Sequence, residues 1–303
     1  MPGPGTSRAG PAVPDALLSF VTRSRRLLVL TGAGCSTESG IPDYRDADGA
    51  WKHSAPVMYQ DFLASPATRR RYWARSLIGW RRIAAARPNP AHVALARMEQ
   101  AGIVHHVVTQ NVDGLHDRAG SRKVIDLHGR LDTVVCLGCG ERSSRAVLQA
   151  ALEARNRVRA GAACARPDGD ADAGAGSCED FDVPCCERCA GVLKPDVVFF
   201  GEPVPRERTA SAFARLSEAD ALLVAGSSLM VFSGYRLARA AAERGLPLAI
   251  VNLGRTRADS LAPLRIEGRC GELLDALARR LQNVPARPAA GGAKSSSMAA
   301  AGT

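Results

Sequence analysis

The sequence predicts an α/β fold: a Rossmann-like, doubly wound parallel sheet with an inserted small zinc-binding domain and a helical insertion. Three observations predict it. Short, unbroken apolar runs alternate with amphipathic stretches of helical length. Most of those runs end in glycine or small polar residues, as strands do where an open sheet meets its ligand. Two Cys-x-x-Cys pairs stand between the second and third runs.

In chain order, a helix over 14–24 leads into the run 26–31 (RLLVLT). That run is continuous rather than alternating, as a parallel strand covered on both faces must be. The segment 45–90 is aromatic and Arg-rich, with RYWARSLIGWRR over 71–82, and predicts the helical insertion. Pro90 after Asn89 suits a first helical turn, where its missing N–H costs nothing, so a helix spans 90–101. Strands follow at 103–109 (IVHHVVT), 220–226 (DALLVAG) and 248–252 (LAIVN), with helices over 206–218, 233–244 and 271–282. The stretch 194–202 (KPDVVFFGE) reads as an exposed strand or edge, able to pair with an extended peptide. One folded domain is therefore expected over 15–283. Its Rossmann-like parts are 15–44, 91–130 and 192–283; 45–90 is the helical insertion and 131–191 the zinc module. The acidic, Gly/Ala-rich stretch 160–182 should be a mobile loop, and 1–14 and 284–303 disordered ends.

The 303 residues are 46% hydrophobic, enough to bury a real core. The formal charge of +10 comes from 40 basic residues, of which only Lys52, Lys123, Lys194 and Lys294 are lysines. The arginines are scattered, so no specific nucleic-acid site and no membrane surface is expected, although the charge suits polyanionic ligands. No stretch reaches the roughly 18 apolar residues of a membrane span, and 1–14 lacks the apolar core of a signal peptide. A cytoplasmic, monomeric protein is the expectation, and in that reducing compartment paired cysteines are metal ligands rather than disulfides.

Four motifs carry most of the chemistry, with further signals beside them. Thr31-Gly32-Ala33-Gly34-Cys35-Ser36 follows a strand, and its glycines let the backbone approach a pyrophosphate. Ser39-Gly40-Ile41-Pro42-Asp43-Tyr44-Arg45, with Trp51 beyond, can fold over a bound cofactor. Gln110-Asn111-Val112-Asp113 leaves the carboxyl end of the second strand, placed to contact sugar hydroxyls and an amide. His128, in Asp126-Leu127-His128-Gly129, has a side chain that titrates near neutrality, which suits a general base. Cys136-x-x-Cys139 and Cys186-x-x-Cys189 are four thiolates with no open position, so the zinc they imply is structural. Cys185 offers a second register, and the Cys-x-x-Cys spacing favours Cys186. Gly226-Ser227-Ser228 and Asn252-Leu253-Gly254 follow two further strands and could touch phosphate and ribose.

Together these motifs resemble the sirtuin family: GAG-CS with SGIPDYR, TQNVDGLH, LHG, the paired Cys-x-x-Cys, KPDVVFFGE, GSS, NLG and RCGEL over 269–273. They run in the family's order from about residue 26 to 282. The chain is most similar to class II sirtuins, the lineage of the mitochondrial lipoamidase and ADP-ribosyltransferase sirtuin. That likeness rests on Tyr44, on 71–80, on PNPAH at 88–92 and on SGYR at 233–236. The resemblance implies NAD as a co-substrate and acylated lysine of proteins as partner. NAD would be held by Gly32, Ala33, Gly34, Ser36, Thr37, Ile41, Asp43, Tyr44, Arg45 and Trp51, by Gln110 to Asp113, and by Gly226, Ser227, Ser228, Asn252, Leu253, Gly254 and Cys270. It implies His128, Asn111 and Asp113 as catalytic residues. The acyl oxygen attacks the ribose carbon that bears nicotinamide; His128 then deprotonates a ribose hydroxyl, and free lysine and O-acyl-ADP-ribose leave. Protein mono-ADP-ribosyl transfer or lipoamide cleavage at the same NAD site is the alternative. A vestigial binding module conflicts with the joint presence of His128, Asn111 and Asp113. A dehydrogenase lacks the acidic residue that would grip the ribose about 20 residues past the glycines. Tyr72 and Arg75, three apart on one helix, resemble a pair that reads acyl carboxylates. Ser233 stands where many sirtuins carry proline.

Overall fold

The computed structural model describes residues 13–43, 56–156 and 178–282, and the backbone of 164–165 and 171–172. Helix α1 (Asp15–Arg23) leads into strand β1 (Leu27–Thr31). Two helices, α2 (Tyr59–Ala64) and α3 (Pro66–Ala85), precede α4 (Pro90–Gln100), β2 (Val104–Thr109), the short α5 (Leu115–Arg118) and β3 (Val124–Asp126). A small unit follows: β4 (Gly129–Cys136), β5 (Arg142–Ser144), α6 (Arg145–Arg155), the two-residue strands β6 (Cys164–Ala165) and β7 (Ala171–Asp172), and β8 (Leu193–Val197). The chain then runs through α7 (Arg206–Glu218), β9 (Ala221–Ala225), α8 (Phe232–Glu243), β10 (Leu248–Asn252), β11 (Leu264–Glu267) and α9 (Cys270–Gln282).

Six strands form one parallel sheet in the order β11-β10-β9-β1-β2-β3. Every residue of β1, β9 and β10 is buried, which is why these strands read as unbroken apolar runs. Alternate side chains serve opposite faces. Leu27 and Val29 pack with Leu17, Leu95 and Leu274 of α1, α4 and α9, while Leu28 and Leu30 pack with Leu216 and Leu237 of α7 and α8. From β1 the chain builds outward through β2 and β3, then returns to the other side of β1 for β9 and continues outward to β11. The order reverses between β1 and β9, and the crevice beyond their carboxyl ends is where such sheets bind ligands. Strand β11 escaped sequence reading because it is an edge strand with alternating burial, not a continuous apolar run.

The small unit has a three-stranded antiparallel sheet, β5-β4-β8, beside the cysteine knuckles. Its core is shared with the helical insertion: Trp73 and Leu77 of α3 pack with Val134, Leu148, Leu152, Val197 and Phe199. Arg145 is buried between the rings of Trp73 and Trp80, at 5.4 and 5.2 Å, and donates to Ser76. One expectation needs correction. The stretch 194–202 is an edge, but not an exposed one. Lys194 is only 3% exposed, paired with Glu202 at 2.9 Å, and Phe199 lies beneath the ammonium. Within 160–182 the described residues include the antiparallel pair β6–β7, and Asn156 bonds the Asp182 backbone in both directions; the rest of that stretch lies outside the described residues.

Candidate active site

A cavity of about 840 Å³ opens at the switch point, lined from the loops after β1, β2, β9, β10 and β11 and from the 197–204 segment. Its floor is where two backbones meet. The Gly34 N–H donates to the Gly226 carbonyl at 2.8 Å. A Cβ on Gly34 would sit 3.0 Å from that carbonyl oxygen, and one on Gly226, whose φ is +63°, would sit 2.3 Å from the Cys35 nitrogen. Side chains cannot fit here, so the turns leave backbone facing the cavity.

Loop 110–113 ties this floor together. Gln110 donates to the Ser227 hydroxyl at 2.7 Å. Asn111 donates to the Gly32 carbonyl and to the Ser36 hydroxyl, both at 3.0 Å. Ser36 in turn donates to Asp113 at 2.7 Å, and the other Asp113 oxygen accepts the Leu115 N–H. Three of the polar residues singled out in the sequence thus hold one another in fixed orientations.

His128 enters from between β3 and β4. Its Nδ1 lies 2.9 Å from the Gln110 carbonyl and its Nε2 2.7 Å from the Ser233 hydroxyl. A carbonyl only accepts, so Nδ1 carries the hydrogen and Nε2 presents a lone pair. Burial lowers the ring's pKa to about 4; the Gln110 bond opposes this and the Arg208 charge adds to it. The ring is therefore neutral at pH 7 and able to accept a proton. Gly129, at φ +81°, is required beside it: a Cβ there would sit 2.0 Å from the Asp196 carbonyl where β4 crosses β8.

The four cysteines of the two knuckles lie with their sulfurs within 4.8 Å of one another. Cys136 and Cys189 are 3.4 Å apart and Cys139 and Cys186 3.8 Å, against about 3.8 Å for thiolates around a tetrahedral zinc. A Cβ on Gly191 would press within 2.8 Å of the Cys136 sulfur, so the knuckle closes only over glycine. These residues fit zinc, and the register is that of Cys186. A second group, Cys35, His92 and His116, is also close-set and fully buried beneath the cavity. There the His92 Nδ1 accepts the Asn89 N–H, which puts the ring hydrogen on Nε2, the atom a metal would need. It reads as core. Burial holds His92 at about 4 and His116 at about 3, both neutral.

The cavity gathers Gly32, Ala33, Gly34, Ser36, Thr37, Ile41, Asp43, Gln110 to Asp113, Gly226, Ser227, Ser228, Asn252, Leu253, Cys270 and His128. Gly254 is not on the wall; its carbonyl accepts from Asn252 and Arg265. Tyr44, Arg45 and Trp51 lie outside the described residues. Tyr72 reaches the wall, whereas Arg75 on the same helix is not among its lining residues. Sequence reading missed Ser233 as a partner of His128, and Arg255 and Arg269 near the Asn252 end, because nothing local marks them.

The family model described as Sir2 family matches residues 32–233. An NAD-dependent protein deacetylase 2 of Bradyrhizobium diazoefficiens is 58% identical over 261 residues, covering 86% of this chain and 96% of that protein. An NAD-dependent protein deacetylase of Xanthomonas campestris is 57% identical over 260 residues, covering 86% and 89%. Among solved structures, one described as Sir2 with a p53 peptide and NAD+ aligns with a TM-score of 0.69 at 33% identity, over 88% of this chain and 96% of that one. A Sir2 homologue–NAD complex aligns with a TM-score of 0.70 at 31% identity, over 91% and 96%.

Proposed function

The chain belongs to the Sir2 family, and from that premise we propose that it is an NAD-dependent protein-lysine deacylase with one structural zinc. The observation that carries this reading is the neutral His128, its lone pair directed into a cavity floored by the glycine turns of β1 and β9. Backbone at Gly32–Gly34 and Gly226–Ser228 holds the phosphates, and Asn252, Leu253 and Cys270 receive the adenosine end. Asn111 and Asp113, locked through Ser36, orient the nicotinamide ribose. His128 takes the proton from a ribose hydroxyl once nicotinamide has left. The acyl-lysine enters beside the 197–204 segment, between the parallel sheet and the cysteine module. Cys136, Cys139, Cys186 and Cys189 hold the zinc, which supplies only structure. The proposed unit is 15–283, with the module at 131–191.

The relatives are named deacetylases, which favours acyl-lysine over protein ADP-ribosylation or lipoamide cleavage. Ile41, Val57, Tyr72, Val112 and Phe199 on the wall favour a neutral acyl group such as acetyl, since Arg75 does not line the cavity. Incubation with NAD and an acetyl-lysine peptide should give free peptide, nicotinamide and O-acetyl-ADP-ribose by mass spectrometry. His128→Tyr should cut turnover by about 10²-fold or more, the share of a general base, with the zinc content unchanged. Nicotinamide release that ignores the acyl peptide and labels protein instead would refute deacylation. A glutaryl peptide that outcompetes acetyl, with the preference lost in Arg75→Met, would restore the charged-acyl reading.

A further inference from the structure

Ser233 sits in the first turn of α8. Its hydroxyl points at the His128 Nε2, 2.7 Å away, on the cavity side of the ring. Because Nδ1 carries the ring hydrogen toward Gln110, Ser233 is the donor in this contact. The approach of α8 is itself enforced. A Cβ on Gly234 would lie 2.3 Å from the Gln110 amide oxygen, so a larger residue there would have to displace the Gln110 side chain from its bond to Ser227. Gln110 therefore touches both partners, holding the ring through its carbonyl and abutting α8 with its side chain.

Resting on the reading of His128 as the base, we propose that Ser233 is a positioning residue that aims the neutral imidazole and yields its place at Nε2 to the ribose hydroxyl. In the free enzyme it donates to the Nε2 lone pair and holds the ring toward the cavity. The ribose hydroxyl must take that position for its proton to pass to Nε2. Rotation about χ1 swings the serine oxygen aside and leaves the Nε2 lone pair to the incoming proton. No covalent bond to Ser233 forms. The charge facing the ring is Arg208 of α7, paired with Asp196 of β8; Asp126 and Arg130 flank His128 along the chain.

A donated hydrogen bond favours the neutral ring, so its loss should raise the pKa of His128 by about half to one unit. In the full-length enzyme, Ser233→Ala should lower the deacylation kcat about 10-fold, a fraction of what a general base contributes. The acid limb of kcat/KM should move up by that half to one unit. KM for NAD and nicotinamide exchange, which precedes the use of the base, should stay within about twofold. Ser233→Thr keeps the hydroxyl and should restore both kcat and the acid limb. An unmoved kcat and acid limb in Ser233→Ala overturns the proposal. So does a parallel loss of exchange, NAD affinity and deacylation that threonine does not repair. Wild-type turnover in His128→Tyr would instead sink the base assignment itself, and the two failures are distinct.

Discussion

Whether an imidazole can act as a base near neutrality depends on the charge it carries beforehand. Burial keeps His128 neutral, and one carbonyl selects which nitrogen is free. As pH falls the ring protonates only near 4, so base function should persist through mildly acidic conditions and fail as pH falls through about 4. Its neighbours His92 and His116 are neutral for the same reason yet face the core, so a low pKa alone does not mark a base. The glycines are decided by contact as well. Gly34→Ala would set a Cβ 3.0–3.2 Å from three Gly226 backbone atoms, neither side having a flexible end to move. We expect the KM for NAD to rise by about 10-fold or more, from binding geometry lost near the phosphates. An unchanged KM would mean that the two turns are looser than they look.

Elements are held at their ends by single polar residues. Asp220, entering β9, accepts the Arg25 N–H at 2.7 Å, the Arg26 N–H at 3.0 Å and the Ser24 hydroxyl at 2.6 Å. Partial burial works against its charge, but the Ser24 hydroxyl and those two amides hold the carboxyl below its usual range. A depressed acid stabilises the fold above the unfolded value of about 3.9, and that contribution fades as pH falls through the folded value. Asp220→Ala should cost about 1–3 kcal/mol by urea unfolding at pH 7, and the gap from wild type should narrow below about pH 4. A gap that widens in acid would rule the carboxylate out as its source. Lys194 does comparable work for the 197–204 segment, anchoring it through Glu202 where the acyl-lysine is proposed to enter.

At the scale of the molecule, two cores meet at the cavity. One is the parallel sheet with helices on both faces; the other joins α3, α6 and the cysteine module through Trp73 and Arg145. Strand β5 is exposed along its whole length, so a small unit of this kind depends on its metal. Chelation of zinc, or Cys136→Ser, should remove one equivalent of metal and produce an early unfolding transition, with the sheet melting later. A single, unshifted transition in the metal-free protein would show that zinc adds no stability. Among the described residues no helix is long and apolar enough to cross a membrane.

The four central strand runs, five helices, the tetrad and the polar strand ends were legible because each depends on local chemistry. A doubly covered strand must be apolar throughout, a tight turn needs glycine, and four thiolates two by two need little context. Strand β11 was not legible, since an edge covered on one face carries a weak alternating signal. Nor was the burial of Lys194: a Lys-Pro-Asp start looks solvent-facing until Glu202 and Phe199 close over it. The same holds for Arg145 between two tryptophans, for Ser233 against a histidine 105 positions earlier, and for the absence of Arg75 from the cavity lining. The sequence by itself determined the layers and the cysteine tetrad, and it singled out His128 as the expected base. The tertiary structure alone decided the tautomer of that base and which polar atoms face it, because hydrogen-bond direction depends on partners brought together from distant parts of the chain.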